Sequence, residues 1–166
     1  MIGEPRLEDR TEKPYLGIRV QVPMRELPQV IPQLIGEVMG YLGSQGIAPA
    51  GAPFIRYHLI NMAGKMDIEV GWPVALPAQG NGRITPNVLP SGRYATLIYV
   101  GNYPGLVDAT ASLLAWGSEK GLAWDSRVTE SGDAFGGRFE SYWTNPVDEP
   151  DLNKHETEIA IRLTDK

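Results

Sequence analysis

The sequence predicts an α+β fold in which two β-α-β-β units form a pseudo-two-fold antiparallel sheet with two helices and a central cleft. Two observations carry this expectation. Apolar periodicity follows the order strand, helix, strand, strand, and does so twice along the 166 residues. The helix ends also repeat as residues. Tyr41-Leu42-Gly43-Ser44-Gln45-Gly46-Ile47-Ala48 matches Trp116-Gly117-Ser118-Glu119-Lys120-Gly121-Leu122-Ala123 at a constant offset of 75. In both copies an aromatic lies five residues before a helix-ending glycine, and an aliphatic–Ala pair follows it. Two such halves leave a crevice between them, which is the default place for a ligand.

Met1 to Lys13 are polar and aperiodic, and read as a flexible lead-in to a single domain over 14–166 with halves of about 14–74 and 83–164. Tyr15 to Val22 alternates as a first strand. From Leu27 the apolar positions 27, 30, 31, 34, 35, 38, 39 and 42 have helical spacing, with Pro28 and Pro32 suited to the opening turn and Gly43 and Gly46 to the end. Phe54 to Asn61 and Lys65 to Trp72 are the next two strands, turned at Ala63-Gly64. Pro73 to Pro90 is a connector with a short strand near Ile84. The second unit then runs through Arg93 to Gly101, a helix over about Tyr103 to Lys120, a loop through Asp133, the strand around Glu140, and Thr157 to Leu163.

Composition removes several classes of function. A net charge of −5 without a Lys/Arg cluster argues against a phosphate-backbone partner. Cysteine is absent, and His58 and His155 are the only histidines, so no cofactor or metal site is expected. No apolar run approaches ~20 residues and no apolar leader opens the chain, so the expectation is a cytoplasmic protein without membrane contact. Oligomeric state is not legible.

The segment Arg138-Phe139-Glu140-Ser141-Tyr142-Trp143-Thr144-Asn145-Pro146 carries the most chemistry. Alternation places Glu140 and Tyr142 on one face and Phe139, Ser141 and Trp143 on the other. Both faces are partly apolar, so Glu140 is expected to lose part of its hydration. Such a carboxylate suits a flat organic cation, through charge and cation–π attraction. It also suits acid–base chemistry, because burial raises its pKa. The bland alternative is an exposed strand residue paired with Arg138 or Arg162.

These residues, together with Tyr94 to Tyr103 (YATLIYVGNY), Leu106, Leu113, Trp116, Lys120-Gly121-Leu122, Glu140-x-Tyr142-x-x-Asn145-Pro146 and Thr157-Glu158-Ile159, resemble the GyrI-like small-molecule-binding domain. That domain is also the effector-binding module of AraC-type and MerR-type multidrug-responsive regulators. In the first half Pro53 to His58 and Asp67 to Val74 are similar too, so the resemblance spans about residues 14–164. It implies a duplicated β-α-β-β fold and an aromatic-lined pocket floored by a glutamate that neutralises lipophilic cations, at the position of Glu140. Some members of the family hydrolyse cyclopropane-bearing alkylating compounds. With about 13 residues ahead of the first strand there is no room for a helix-turn-helix, so direct contact with nucleic acid is not expected.

The remaining candidates follow from position. Tyr142 shares the face of Glu140, where it would serve as a ring wall or a hydroxyl donor. Tyr57 and Tyr99 sit mid-strand as candidate ring contacts, and Trp72 is a wall or core residue. Trp116 lies on the second helix, where core packing is its leading explanation. Trp143 should point away from Glu140 unless Asn145-Pro146 twists the strand end. Glu69, opposite Trp72, reads as solvated, and is the second-acid candidate only by default. His155 reads as a loop residue. The reading favoured is a stand-alone binder of amphipathic, aromatic or cationic small molecules. The alternatives are a hydrolase of electrophilic xenobiotics, with Glu140 and Tyr142 as catalytic groups, and a protein-binding inhibitor of the gyrase-inhibitor type.

Overall fold

Both predicted helix ends close in the same way, 75 residues apart. The computed structural model, which describes residues 1–165, has helix α1 over Leu27–Ser44 and helix α2 over Leu106–Glu119. Gly46 and Gly121 follow them with φ of 67° and 69°. The Ile47 amide bonds Leu42 O at 2.9 Å, and the Leu122 amide bonds Gly117 O at 2.9 Å. This is a left-handed cap in which the third amide past the helix reaches back over the last turn, and a side chain with a Cβ would be strained at the glycine. Pro28 sits in the opening turn, whereas Pro32 lies one turn further in, and the helix continues through it.

The strands are β1 (Arg6–Arg10), β2 (Lys13–Pro23), β3 (Phe54–Ile60), β4 (Lys65–Pro73), β5 (Ile84–Leu89), β6 (Gly92–Val100), β7 (Ser126–Thr129), β8 (Gly132–Phe135), β9 (Arg138–Tyr142) and β10 (Glu156–Arg162). They form one curled antiparallel sheet in the order β1-β6-β10-β9-β3-β4-β2-β5, with β8 also pairing β3 and β7 pairing β8. The triplets β9-β10-β6 and β3-β4-β2 repeat one another in order and meet at the β3–β9 pair, where Ile55 stands opposite Glu140. The duplicated architecture expected from the sequence is the one observed.

Period-2 alternation divides the buried residues between two faces. On the helix side, Leu16, Ile18, Ile68 and Val70 pack with Leu34, Val38 and Leu42 of α1. Ala95, Leu97, Ile159 and Ile161 pack with Leu106, Ala109 and Leu113 of α2. Each Leu, Ile or Val among them contributes about 1.5–3 kcal/mol on burial. The opposite, concave face closes over Tyr15, Phe54, Tyr94, Phe139 and Ala160. Gly71 makes room there, because a Cβ on it would lie 3.2 Å from the Phe54 ring and 2.7 Å from Leu16 O.

Three expectations need correction. The stretch read as a lead-in contains β1, paired to β6 from Arg6↔Thr96 to Arg10↔Gly92, and Ile2 bridges Tyr99. Its charged composition hid it, because an edge strand does not need an apolar face. The loop expected through Asp133 folds as the β7–β8 hairpin. The Glu140 strand ends at Tyr142, before Asn145-Pro146.

Candidate functional site

Helix α1 packs on β2 and β4, while α2 packs against β6 and β10, so β3 and β9 lie between the two helices. Tyr57 of β3 and Glu140 and Tyr142 of β9 project onto this side. All three keep some solvent access although protein surrounds them closely. Tyr142 Oη donates to Glu140 Oε1 at 3.4 Å, and the Tyr57 hydroxyl lies near enough to favour the charged form of Glu140. Burial raises the Glu140 carboxyl above the usual carboxylate range, and the two phenols and the charge of Arg138 only partly counter this. Burial, followed by the charge of Glu140, pushes both tyrosines well above the usual phenol value. Glu140 makes no ion pair among the described residues, and Arg162 instead holds Asp125 and Asp165 at 2.9 and 2.8 Å.

Two aromatic residues absent from the sequence expectations complete the surroundings. Tyr103, in a turn of 3-10 helix just before α2, meets Tyr142 edge to face at 6.0 Å between centroids. It is held by His155, whose Nδ1 lies 2.9 Å from the Tyr103 hydroxyl. His155 lies in the loop before β10, as expected, but it is a buried anchor there, with Nε2 2.6 Å from Glu149 O. Phe135 of β8 lies under the Arg138 guanidinium, 4.7 Å from centroid to Cζ. Tyr103-Pro104 at a helix entrance was a legible hint of a wall residue. Phe135 depends on a hairpin that the sequence did not reveal.

The other candidates are placed elsewhere. Trp72 donates its indole N–H to Ile35 O at 3.0 Å and is committed to packing under α1. Tyr99 and Trp116 belong to the cluster beneath α2. Trp143, 46 % exposed, stays on the concave side. Glu69, expected to be solvated, is 1 % exposed, also on the concave face. It accepts from Tyr15 Oη at 2.6 Å, and His58 Nε2 lies 2.8 Å from it. Burial raises its carboxyl, but these hydrogen bonds and the charges of His58 and Arg56 outweigh that and leave it below the usual range. Lying on the other face, Glu69 cannot act as a second acid beside Glu140.

A cavity of about 490 Å³ opens on the concave face, walled by Phe54, Phe139 and Trp143. Its carboxylates are already matched, Glu8 and Glu158 to Arg10 at 3.3 and 2.9 Å and Asp9 to Arg93 at 2.9 Å. Among the described residues no group of three or more His, Asp or Glu side chains is placed to hold a metal ion. No helix among them is long and apolar enough to cross a membrane.

The family model described as GyrI-like small molecule binding domain matches residues 3–164. No curated protein sequence matches the chain. Among solved structures, the crystal structure of the EcmrR C-terminal domain aligns with a TM-score of 0.76 at 23% identity, covering 99% of both chains. The cryo-EM structure of the EcmrR–DNA complex aligns at 0.75 and 24% identity, covering 96% of this chain. This chain spans only 57% of the length of that protein. SAV2435 bound to tetraphenylphosphonium aligns at 0.58 and 15% identity, over 98% of this chain and 94% of that one. At these identities the likeness to solved structures establishes the fold.

Proposed function

Because the chain belongs to the GyrI-like family of small-molecule-binding domains, we propose that it binds amphipathic aromatic cations between α1 and α2, with Glu140 as the countercharge. One observation carries the reading. Glu140 is a desolvated carboxylate that accepts a hydrogen bond from Tyr142, lies near Tyr57, and has no ion-pair partner among the described residues. A buried charge without a partner is costly, and a ligand cation would relieve that cost. Tyr57, Tyr142 and Tyr103 offer ring faces for cation–π contact and apolar area worth ~25 cal/mol per Å² buried. The bound cation in SAV2435 supports the ligand class by analogy of fold. The concave cavity is the weaker site for such a ligand, because its carboxylates are already engaged by arginines.

Titration with tetraphenylphosphonium and with neutral triphenylphosphine oxide, followed by tryptophan fluorescence, tests the reading. Glu140→Gln should weaken phosphonium binding by about 1–3 kcal/mol and leave the oxide unchanged. Equal loss for both probes would show damage to the cleft instead of charge selection. No binding of either by the wild type would sink the proposal.

The raised carboxyl next to two protonated phenols also supports a second reading, acid–base hydrolysis of electrophilic compounds in the same place. Turnover separates the two, since a binder saturates at one equivalent.

A further inference from the structure

Arg138 is an anomaly beside this glutamate. Its side chain is half-buried, and burial lowers its pKa, yet it makes no hydrogen bond or ion pair among the described residues. Buried guanidinium groups are ordinarily matched to carboxylates. Here the group rests on rings, 4.7 Å from the Phe135 centroid and 5.8 Å from that of Tyr57. Glu140 and Asp133 lie near enough to be felt as charges, but neither is within ion-pair range. Arg56 Nε is the sole fully enclosed side-chain nitrogen or oxygen without a partner among the described residues. The unpaired Arg138 nitrogens therefore reach solvent-accessible space. The aromatic rings hold the guanidinium flat and leave its N–H fork free.

Arg138 and Glu140 are two positions apart on one face of β9, which separates their Cα atoms by about 6.5 Å along the strand. We propose that they are the two poles of one site, and that its ligand is a dipolar aromatic molecule. The cationic end would meet Glu140, and a carboxylate or comparable acceptor at the other end would meet the Arg138 fork. This rests on the reading of the cleft above and narrows it. A guanidinium presents paired donors that match the two oxygens of a carboxylate. The same positive charge disfavours a ligand that is cationic throughout.

The test compares two probes that differ in one group, 6-amidino-2-naphthoate (a zwitterion) and its methyl ester (a monocation). Calorimetric titrations would use the whole chain as wild type, Arg138→Gln, Arg138→Lys and Glu140→Gln, each checked for cooperative unfolding well above the titration temperature. The wild type should bind the acid about tenfold or more tightly than the ester. Arg138→Gln should abolish that ratio, and Arg138→Lys should keep part of it, since it retains the charge and loses the fork. Glu140→Gln should weaken both probes. If the ester binds the wild type as well as the acid, or if Arg138→Gln leaves the ratio unchanged, the two-pole site is wrong. The cleft reading would survive that result provided Glu140→Gln still weakened the ester. If neither probe binds the wild type, both readings fall together.

Discussion

Glu69 and Glu140 are the same residue type, flank β3 from either side in the sheet, and lie on opposite faces of it. Their carboxyl groups shift in opposite directions. Glu69 is enclosed with Tyr15, His58 and Arg56, all of which favour its charged form. Glu140 is enclosed with phenols, of which Tyr142 gives it a hydrogen bond, and they bring no charge. The contrast teaches that burial does not by itself decide what a carboxylate does. One that brings its own cations is part of the framework, and one that lacks them is free to engage a partner from outside.

Removing the framework carboxylate should have the largest effect. Glu69→Ala strands Arg56 and His58 in the interior and should cost about 3–5 kcal/mol in urea unfolding. A loss below about 1 kcal/mol would erase the distinction between the two faces.

Titration should separate the glutamates next. The folded pKa of Glu140 is raised, so its stabilising contribution is fully present below the unfolded value of about 4.3 and is lost as pH rises through the folded one. Glu69 is depressed, so its contribution is present above about 4.3 and is lost as pH falls through the folded value. Relative to the wild type, Glu140→Gln should thus gain stability as pH rises above about 4.3. Glu69→Gln should approach the wild type only in acid. Parallel stability curves for the two variants would contradict the opposed shifts.

The smallest effect should come from Trp143→Ala. Its side chain lies on the concave side, away from Glu140, and stability and phosphonium affinity should each change by less than about 0.5 kcal/mol. A tenfold loss of affinity would move the site across the sheet.

The facing of Glu140 and Tyr142 was legible because strand alternation is local, and so were the twin helix ends, because a left-handed cap needs its glycine within a few residues. What surrounds a side chain is not local. Glu69 meets Tyr15 from β2 and His58 from β3, at separations of 54 and 11 residues in the chain. Period-2 counting gave its face and said nothing of these partners. Arg138 was visible only as a candidate partner for Glu140. The rings that draw it aside come from β3 and from the β7–β8 hairpin, whose four-residue strands are too short to leave a clear periodic signal.

The outer strands of the sheet have a consequence for the protein in concentrated solution. A path that ends in β1 on one side and β5 on the other presents two margins to which a further strand, from this chain or another, could add. β1 reads Arg-Leu-Glu-Asp-Arg, and β5 carries Pro86, which has no N–H to donate. Charge on one margin and a missing donor on the other oppose edge-to-edge polymerisation. The protein is thereby protected from aggregation without covering either margin.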